Sequence, residues 1–240
     1  MYLLIDEKDR KYLVKGDKDV HTNYGVIVAS KLCEENVGKV IESHQCHKYK
    51  LIKPNILDYM EKAKRGPQAM TPKDCAMIST FSGLGPGSKV LEAGVGSGVL
   101  SIYLANLISP ATLTSYEIRE DFAKIAQGNF EKFSITNVEI KMKNIYEGID
   151  EKDLDLVSLD VPEPWRAIEP AKGALHIGGY ISSYSPSIEQ NKKFCDALGD
   201  CFTHETLETI QRDWDMEVVR PFSRMIAHTG FITIARLVNR

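Results

Sequence analysis

The pattern of hydrophobic positions changes near residue 64 of the chain. Before that point, short apolar runs separated by turn-like breaks predict several short strands. These runs are residues 2–5, 11–15, 25–28, 38–42 and 49–54. Residues 55–64 then predict a short helix. We therefore expect residues 1–64 to form a small β-rich N-terminal domain, built as an antiparallel sheet or barrel, and residues 65–240 to form a second domain.

From residue 65 onward, strand-like and helix-like patterns alternate. Apolar runs predict strands at 89–91, 112–117, 138–142, 154–160 and 178–184. Helical spacing predicts helices at 75–81, 99–108, 119–133 and 186–198. Two long strands, 206–219 and 229–238, end the chain. This order predicts an α/β fold with a doubly wound, mostly parallel sheet and an antiparallel end.

A glycine-rich turn joins the strand at 89–91 to the helix at 99–108. Gly94, Gly96 and Gly98 allow the backbone to turn tightly and to approach a ligand without a Cβ in the way. The start of the helix offers free N–H groups to a negatively charged group. A dinucleotide-binding fingerprint would place its third glycine at position 99, where Val99 stands. The alternative is a tight strand–helix turn that binds nothing.

Polar side chains follow the next strands of the predicted sheet. Glu117 ends a strand about twenty residues after the turn, where such folds place the carboxylate that binds ribose hydroxyls. Asn144 and Asp160 follow two later strands. Because the carboxyl ends of parallel strands meet at one edge, we expect these residues to gather beside the glycine turn. The alternative for Glu117 is a solvated carboxylate at a strand end.

The loop after the strand at 154–160 has an unusual composition. Pro162 and Pro164 fix the backbone between Asp160 and Trp165, so both side chains are held in place. An acid held at the edge of a cleft is a candidate site residue. The alternative is that Asp160 caps a helix and Trp165 packs in the core.

Composition and charge restrict the remaining function classes. The net charge of −3 gives no overall basic field for nucleic acid, although a local basic patch would suffice. No apolar stretch is long enough to span a membrane, and the N-terminus has no secretory signal pattern. The five cysteines indicate reduced thiols in a cytoplasmic protein. His44, Cys46 and His47 are too few ligands for zinc, so we expect no metal.

Several motifs together carry a resemblance to a known family. Glu-x-Gly-x-Gly-x-Gly, from Glu92 to Gly98, resembles the first motif of class I S-adenosylmethionine-dependent methyltransferases. The Asp160–Trp165 loop is similar to the Asp-Pro-Pro-Tyr type motif of methyltransferases that act on base nitrogens. With the stretches 65–74, 115–119, 184–190 and 220–231, in that order, the chain resembles the tRNA (adenine-N1) methyltransferases that modify adenosine 58 of the T-loop.

The resemblance implies a Rossmann-like fold, S-adenosylmethionine as cofactor, a tRNA substrate and a homotetramer. It implies cofactor binding by Gln68, Glu92, Gly94, Gly96, Ser97, Gly98, Val99, Leu100, Glu117, Asn144 and Asp160. Asp160 would also be catalytic and accept a hydrogen bond from the adenine N6 amino group. The substrate-binding residues would be Trp165, Arg224 and His228. For His228 a core histidine is an equal alternative. The candidate RNA contacts, each alternatively a solvated charge, are Lys62, Lys64, Arg65, Arg220 and Arg224.

Two positions depart from the family pattern. Thr71 stands where many relatives carry tyrosine or histidine, and Asn144 stands where they carry an acid. Thr71 cannot stack on a base, whereas Asn144 can still bind an adenine amino group. Three alternatives stay open: a methyltransferase acting on another acceptor, a non-catalytic RNA-binding subunit, and a nucleotide-dependent dehydrogenase. Val99 disfavours the dehydrogenase.

Overall fold

The structure is a computed structural model that describes residues 1–66 and 69–240. These residues divide into two compact units, Met1–Lys62 and Ala63–Arg240. Among the described residues, no helix has both the length and the apolar character that a bilayer crossing requires. Gln68, one of the predicted cofactor-binding residues, lies outside the described residues.

The first unit is built on a small antiparallel sheet. Its strands are β1 (Tyr2–Asp6), β2 (Lys11–Val14), β3 (Val20–Thr22), β4 (Gly25–Ile27), β5 (Val40–Glu42) and β6 (Lys48–Ile52). Four of them form a sheet in the order β2-β1-β6-β5, and β3 pairs with β4. In β6, Tyr49 and Leu51 are buried while Lys48 and Lys50 are exposed, as the two-residue period of a half-buried strand requires. A short helix, α1 (Ile56–Lys62), ends the unit.

The second unit contains one seven-stranded sheet with helices. Its helices are α2 (Pro72–Phe81), α3 (Val99–Ile108), α4 (Glu120–Phe133), α5 (Ile168–Ala174) and α6 (Ile188–Leu198). Its strands are β7 (Val90–Ala93), β8 (Leu113–Glu117), β9 (Val138–Met142), β10 (Leu154–Leu159), β11 (Leu175–Ser185), β12 (Phe202–Glu208), β13 (Trp214–Asp215), β14 (Arg220–Pro221) and β15 (Phe231–Leu237).

The order of the large sheet is β12-β15-β11-β10-β7-β8-β9. The strands β7 to β11 are parallel, and β15 runs antiparallel to both β11 and β12. This confirms the predicted Rossmann-like α/β class with an antiparallel end. Strand β7 lies between β8 and β10, so the chain changes direction across the sheet there. Ligands of such sheets bind at this switch point, beyond the carboxyl ends of the strands.

The prediction of one strand over residues 206–219 was wrong beyond Glu208, where β12 ends. Strand β12 pairs with β15 from Phe202↔Leu237 to Glu208↔Phe231, and β15 extends no further to offer a partner. Residues 209–230, which we call the arm, instead leave the sheet and return to it, and within the arm the two-residue strands β13 and β14 pair antiparallel. The arm exposes large apolar side chains, each 48–74% exposed: Ile210, Trp214, Met216, Val218, Val219, Phe222, Met225 and Ile226.

The third glycine of the turn has a packing role that makes a testable prediction. Gly98 has a φ of 76°, and a Cβ there would lie 2.7 Å from the ring of Phe130 in α4. We expect Gly98→Ala to lower the free energy of unfolding by about 2–4 kcal/mol, because backbone strain and overpacking add. Chemical denaturation measures this loss.

Gly128 provides the matched control for that substitution. It lies inside α4, and a Cβ there would meet open space. Gly128→Ala should therefore be neutral or stabilise the helix by up to about 1 kcal/mol. Equal effects of the two substitutions would contradict the packing role of Gly98.

Candidate active site

A cavity of about 430 Å³ lies at the carboxyl edge of the large sheet, where β7, β8 and β10 end. This volume is in the range of small-molecule and cofactor sites. Of the predicted cofactor-binding residues, those that line it are Glu92, Gly94, Gly96, Ser97, Val99, Leu100, Glu117, Asn144 and Asp160. Gly98 acts instead through the packing of α3 on α4. The structure thus brings together residues separated by almost seventy positions in the sequence.

The glycine turn forms one wall of the cavity. A Cβ on Gly94 would lie 3.5 Å from both the Asp160 carbonyl oxygen and Glu117 Oε2, so the backbone passes close to both acids. Ser97 lines the same wall, is buried, and its hydroxyl has no hydrogen-bond partner among the described residues. A buried hydroxyl without a partner costs free energy.

Glu92 is a buried carboxyl group beside the turn. It is 1% exposed, and its Oε2 accepts hydrogen bonds from Ser101 Oγ at 2.5 Å and Ser115 Oγ at 2.8 Å. Burial raises the pKa of Glu92 to about 7, although the two serine hydrogen bonds oppose the shift. A cationic ligand group placed next to Glu92 would therefore stabilise the ionised form that burial disfavours.

Glu117 is fixed by the backbone around it. Its Oε2 accepts from Gly96 N–H at 3.2 Å, and its Oε1 accepts from Ile118 N–H at 2.8 Å and Arg119 N–H at 2.9 Å. The side chain is buried and lines the cavity, so it is not a solvated carboxylate at a strand end. Oε1 thus has both acceptor sites filled, whereas Oε2 can accept one further bond, which leaves Glu117 able to bind a hydroxyl donor.

Asp160 follows β10 directly and faces the cavity. Its backbone N–H donates to the Ala93 carbonyl oxygen at 2.6 Å, which ties the loop to the neighbouring strand β7. The residue is solvent-exposed and lines the cavity, and desolvation by the neighbouring protein together with the charge of Glu117 raises the pKa of its carboxyl group to about 6. It is not a helix cap, because Glu163 precedes the short 3-10 helix that follows.

The proline loop after Asp160 is held by aromatic contacts. The Tyr146 hydroxyl accepts from Glu163 N–H at 3.0 Å, and the Arg166 guanidinium lies 4.6 Å from the centre of the Tyr146 ring. Trp165 is half-buried, packs against the main hydrophobic core and has Lys193 Nζ 5.3 Å from its ring centre. It is not among the described residues that line the cavity, so its observed contacts are those of the core alternative.

Asn144 lines the cavity and also caps a turn. Its Oδ1 accepts from Tyr146 N–H at 3.1 Å, and its Nδ2 donates to Glu147 Oε1 at 3.2 Å. Sequence reasoning placed Asn144 at the end of a strand, and the structure adds that both ends of its amide are occupied. Sequence reasoning did not identify Tyr146, Ser101 and Ser115, because their roles depend on which side chains meet across the sheet.

Arg224 and His228 belong to the arm, and neither is among the described residues that line the cavity. Arg224 is exposed. His228 is also exposed, so it is not a core histidine. One of its ring nitrogens lies 2.7 Å from Glu208 Oε1 and the other 3.1 Å from the Pro186 carbonyl oxygen. Both partners are acceptors, and these hydrogen bonds raise the pKa of His228.

Comparisons with known proteins show that this chain is similar to methyltransferases. Residues 60–220 match the family model described as the tRNA methyltransferase complex GCD14 subunit. A tRNA (adenine(57)-N(1)/adenine(58)-N(1))-methyltransferase of Methanocaldococcus jannaschii is 36% identical over 98% of this chain and 94% of its own length. A tRNA (adenine(58)-N(1))-methyltransferase of Thermus thermophilus is 32% identical over 98% of this chain and 95% of its own length.

Solved structures show the same fold. A protein of Thermotoga maritima described as an S-adenosylmethionine-dependent O-methyltransferase superposes with a TM-score of 0.89 at 33% identity, covering 100% of this chain and 93% of its own. The tRNA (m1A58) methyltransferase of Aquifex aeolicus superposes with a TM-score of 0.83 at 23% identity, covering 100% and 97%. At 23% identity, the similarity to the Aquifex aeolicus structure shows the fold alone.

Proposed function

The chain belongs to the tRNA (adenine-58-N1)-methyltransferase family, and from this premise we propose that it transfers a methyl group from S-adenosylmethionine to N1 of adenosine 58 in the T-loop of tRNA. The observation that carries the proposal is the set of acids at the ends of β7, β8 and β10, gathered on one cavity beside the glycine turn. We include adenosine 57 in the proposal as a second target. We assign residues 65–240 to the catalytic domain and residues 1–64 to the small N-terminal domain.

The residues of the cavity fit the cofactor. S-adenosylmethionine, when bound, supplies a methyl group on a positively charged sulfur. Glu117 would accept the ribose hydroxyls, and Asn144 would lie at the adenine end. Glu92 would face the amino-acid end with its ammonium group, and Ser97, which lines the cavity, would bind there as well. Gly94 and Gly96 would let the backbone approach, with Val99 and Leu100 as the apolar floor. Gln68 and Asp160 are the remaining proposed cofactor residues.

Asp160 would work on the acceptor base. Neutral adenine already has a lone pair on N1, so no strong base is needed and alignment is the main task. We assign to the Asp160 carboxylate a hydrogen bond from the adenine N6 amino group. This bond would orient the ring and offset the positive charge that develops on it. The target base must first leave its stack in the T-loop. Trp165, Arg224 and His228 remain proposals for substrate binding.

A labelled-transfer assay tests the proposal. Unmodified tRNA transcripts are incubated with labelled S-adenosylmethionine, and the product is digested and identified by mass spectrometry. We expect N1-methyladenosine in the T-loop. Cofactor binding without transfer to any tRNA would favour a non-catalytic RNA-binding subunit. Transfer to a hydroxyl group would favour the acceptor named for the Thermotoga maritima relative.

The proposed enzyme is cytoplasmic and homotetrameric, and the arm carries the second part of this proposal. A large apolar surface on one segment marks an interaction site. We expect other copies of this chain to cover it. Phe222→Ser should then raise the dissociation constant of the assembly by about 10- to 100-fold, since a buried Phe contributes about 1.5–3 kcal/mol. Sedimentation equilibrium measures this. Glu217→Gln in the same arm is the control, and a monomeric wild-type protein would contradict the proposal.

A further inference from the structure

Helix α2 begins with a buried ion pair that the proposed reaction does not use. The Asp74 side chain is 0% exposed. Lys73 Nζ donates to Asp74 Oδ1 at 2.7 Å, and Thr71 Oγ1 donates to Asp74 Oδ2 at 2.8 Å. A buried carboxylate needs such partners, because an unpaired charge in the protein interior is costly. Lys73 is therefore fixed in place by Asp74.

The same ammonium group binds the returning end of the arm. Lys73 Nζ donates a second hydrogen bond to Thr229 Oγ1 at 2.6 Å, and its side chain is only 13% exposed. Thr229 lies 156 positions away in the sequence. The ion pair on α2 thus holds the residue at which the arm rejoins the sheet, two positions before β15.

Thr229 in turn holds a tyrosine. The Tyr184 hydroxyl donates to the Thr229 carbonyl oxygen at 2.7 Å. A Cβ on Gly230 would lie 2.5–2.7 Å from atoms of Tyr184, so the backbone lies directly against the phenol group and leaves no room for a side chain. Hydrogen bond and close approach together make the position of Tyr184 depend on the position of Thr229.

Tyr184 is a neighbour of Asp160 at the carboxyl edge of the sheet, because Leu159 pairs with Ser183 in the parallel register of β10 and β11 and each of the two residues follows directly. Burial raises the pKa of Tyr184 to about 12, and the negative charges of Asp74 and Asp160 add to the shift. The phenol therefore stays neutral and remains a hydrogen-bond donor at physiological pH. Lys73, Thr229 and Tyr184 are not among the described residues that line the cofactor cavity.

We propose that Lys73 is a positioning residue for the acceptor side of the active site: it holds Thr229, and through Thr229 it keeps Tyr184 beside Asp160. The inference rests on the proposed function, since it concerns the placement of the acceptor base. It separates two parts of the site. The glycine turn and Glu117 position the cofactor, whereas α2 and the returning end of the arm position the groups that meet the base.

Thr229 offers a matched pair of variants that leaves the ion pair intact. Thr229→Val keeps the shape of the side chain and the carbonyl oxygen bound by Tyr184, and it removes only the acceptor of the Lys73 bond. Thr229→Ser keeps that acceptor. We expect Thr229→Val to lower kcat with tRNA by about 10- to 100-fold, as small misplacements of reacting groups do. Thr229→Ser should keep kcat within about twofold, well above the Thr229→Val value.

Two further measurements separate positioning from a general loss of structure. The Kd for S-adenosylmethionine, measured by calorimetry, should change less than about twofold in Thr229→Val. A twofold change in Kd corresponds to less free energy than one hydrogen bond to the cofactor contributes. Amide exchange of residues 227–231 should become faster in Thr229→Val and not in Thr229→Ser. Equal kcat in both variants, or a loss of cofactor binding as large as the loss of kcat, would overturn the proposal.

The proposed function and the positioning role fail in different ways. If the proposed function is wrong, the wild-type protein itself will not methylate tRNA, and the positioning proposal falls with it. If only the positioning role is wrong, the wild-type protein is active and Thr229→Val is as active as Thr229→Ser.

Discussion

Asp160→Asn is expected to lower kcat for tRNA methylation by about 10²–10³-fold, the usual cost of removing one preorganised electrostatic contact in an active site. The amide has the same shape but no negative charge to offset the charge that develops on the base. With a pKa raised to about 6, the wild-type carboxyl group is ionised above that pH and protonated below it. Activity of the wild-type protein should therefore fall as the pH drops below about 6. Single-turnover assays across this range measure both effects.

Glu163 lies in the same loop and supplies the control for Asp160. Its exposed carboxylate pairs with Arg166 Nη1 at 2.7 Å and is not among the described residues that line the cavity. Glu163→Gln should change kcat by less than about threefold, as expected for an exposed ion pair. Both variants should keep the wild-type Kd for S-adenosylmethionine within a factor of about three, since the acid acts on the acceptor. Wild-type turnover in Asp160→Asn would remove this residue from the mechanism.

Glu92→Gln is expected to stabilise the free protein at pH 8 while weakening cofactor binding by about 10- to 100-fold, the range for a hydrogen bond to a charged group. The folded pKa of about 7 lies above the ordinary value of 4.5. Folded protein therefore holds this proton more tightly than unfolded protein does, and stability falls as the pH rises from about 4.5 to 7. Above pH 7 the full cost of the buried charge is present, on the order of 1–3 kcal/mol. Glutamine avoids that cost, and its carbonyl oxygen can still accept from Ser101 and Ser115.

Thermal unfolding at pH 5 and pH 8, with and without S-adenosylmethionine, measures both parts of this prediction. The stabilisation by Glu92→Gln should be clear at pH 8 and small at pH 5. Wild-type affinity for the cofactor should rise with pH toward 7, and this dependence should disappear in Glu92→Gln. Glu120→Gln, which changes an exposed side chain paired with Lys124, is the control. If Glu92→Gln binds the cofactor as the wild-type protein does at pH 8, the carboxylate does not face its ammonium group.

Much of the fold follows from hydrophobic spacing. Helix α3 begins and ends where the pattern predicts, at Val99 and Ile108, because the glycine turn marks its start and its apolar face is continuous. The arm shows the limit of such reasoning. Its apolar residues satisfy a strand pattern, but a strand also needs a neighbour, and β15 pairs only as far as Phe231. Helix α5 is short and was not predicted, since seven residues give too few turns for a clear period.

Hydrophobic spacing predicted the site residues that lie at the ends of strands. Glu92, Glu117 and Asp160 meet because parallel strands bring their carboxyl ends together. Ser115 could not be found in this way. It lies directly opposite Glu92 in the register of β7 and β8, and register is a property of the paired sheet. The ties from Lys73 to Thr229 and from Thr229 to Tyr184 likewise need three-dimensional proximity, which local spacing does not encode.

The pairing of Glu208 with Phe231 brings the two ends of the arm together at one rung of the sheet. His228 reinforces this closure through Glu208, with 2.7 Å between the ring nitrogen and the carboxylate oxygen. The length of the segment between these two ends therefore does not affect the pairing of β12 with β15. Evolution can therefore add or delete residues in the middle of the arm, and so change what it contacts, without shifting β12 or β15.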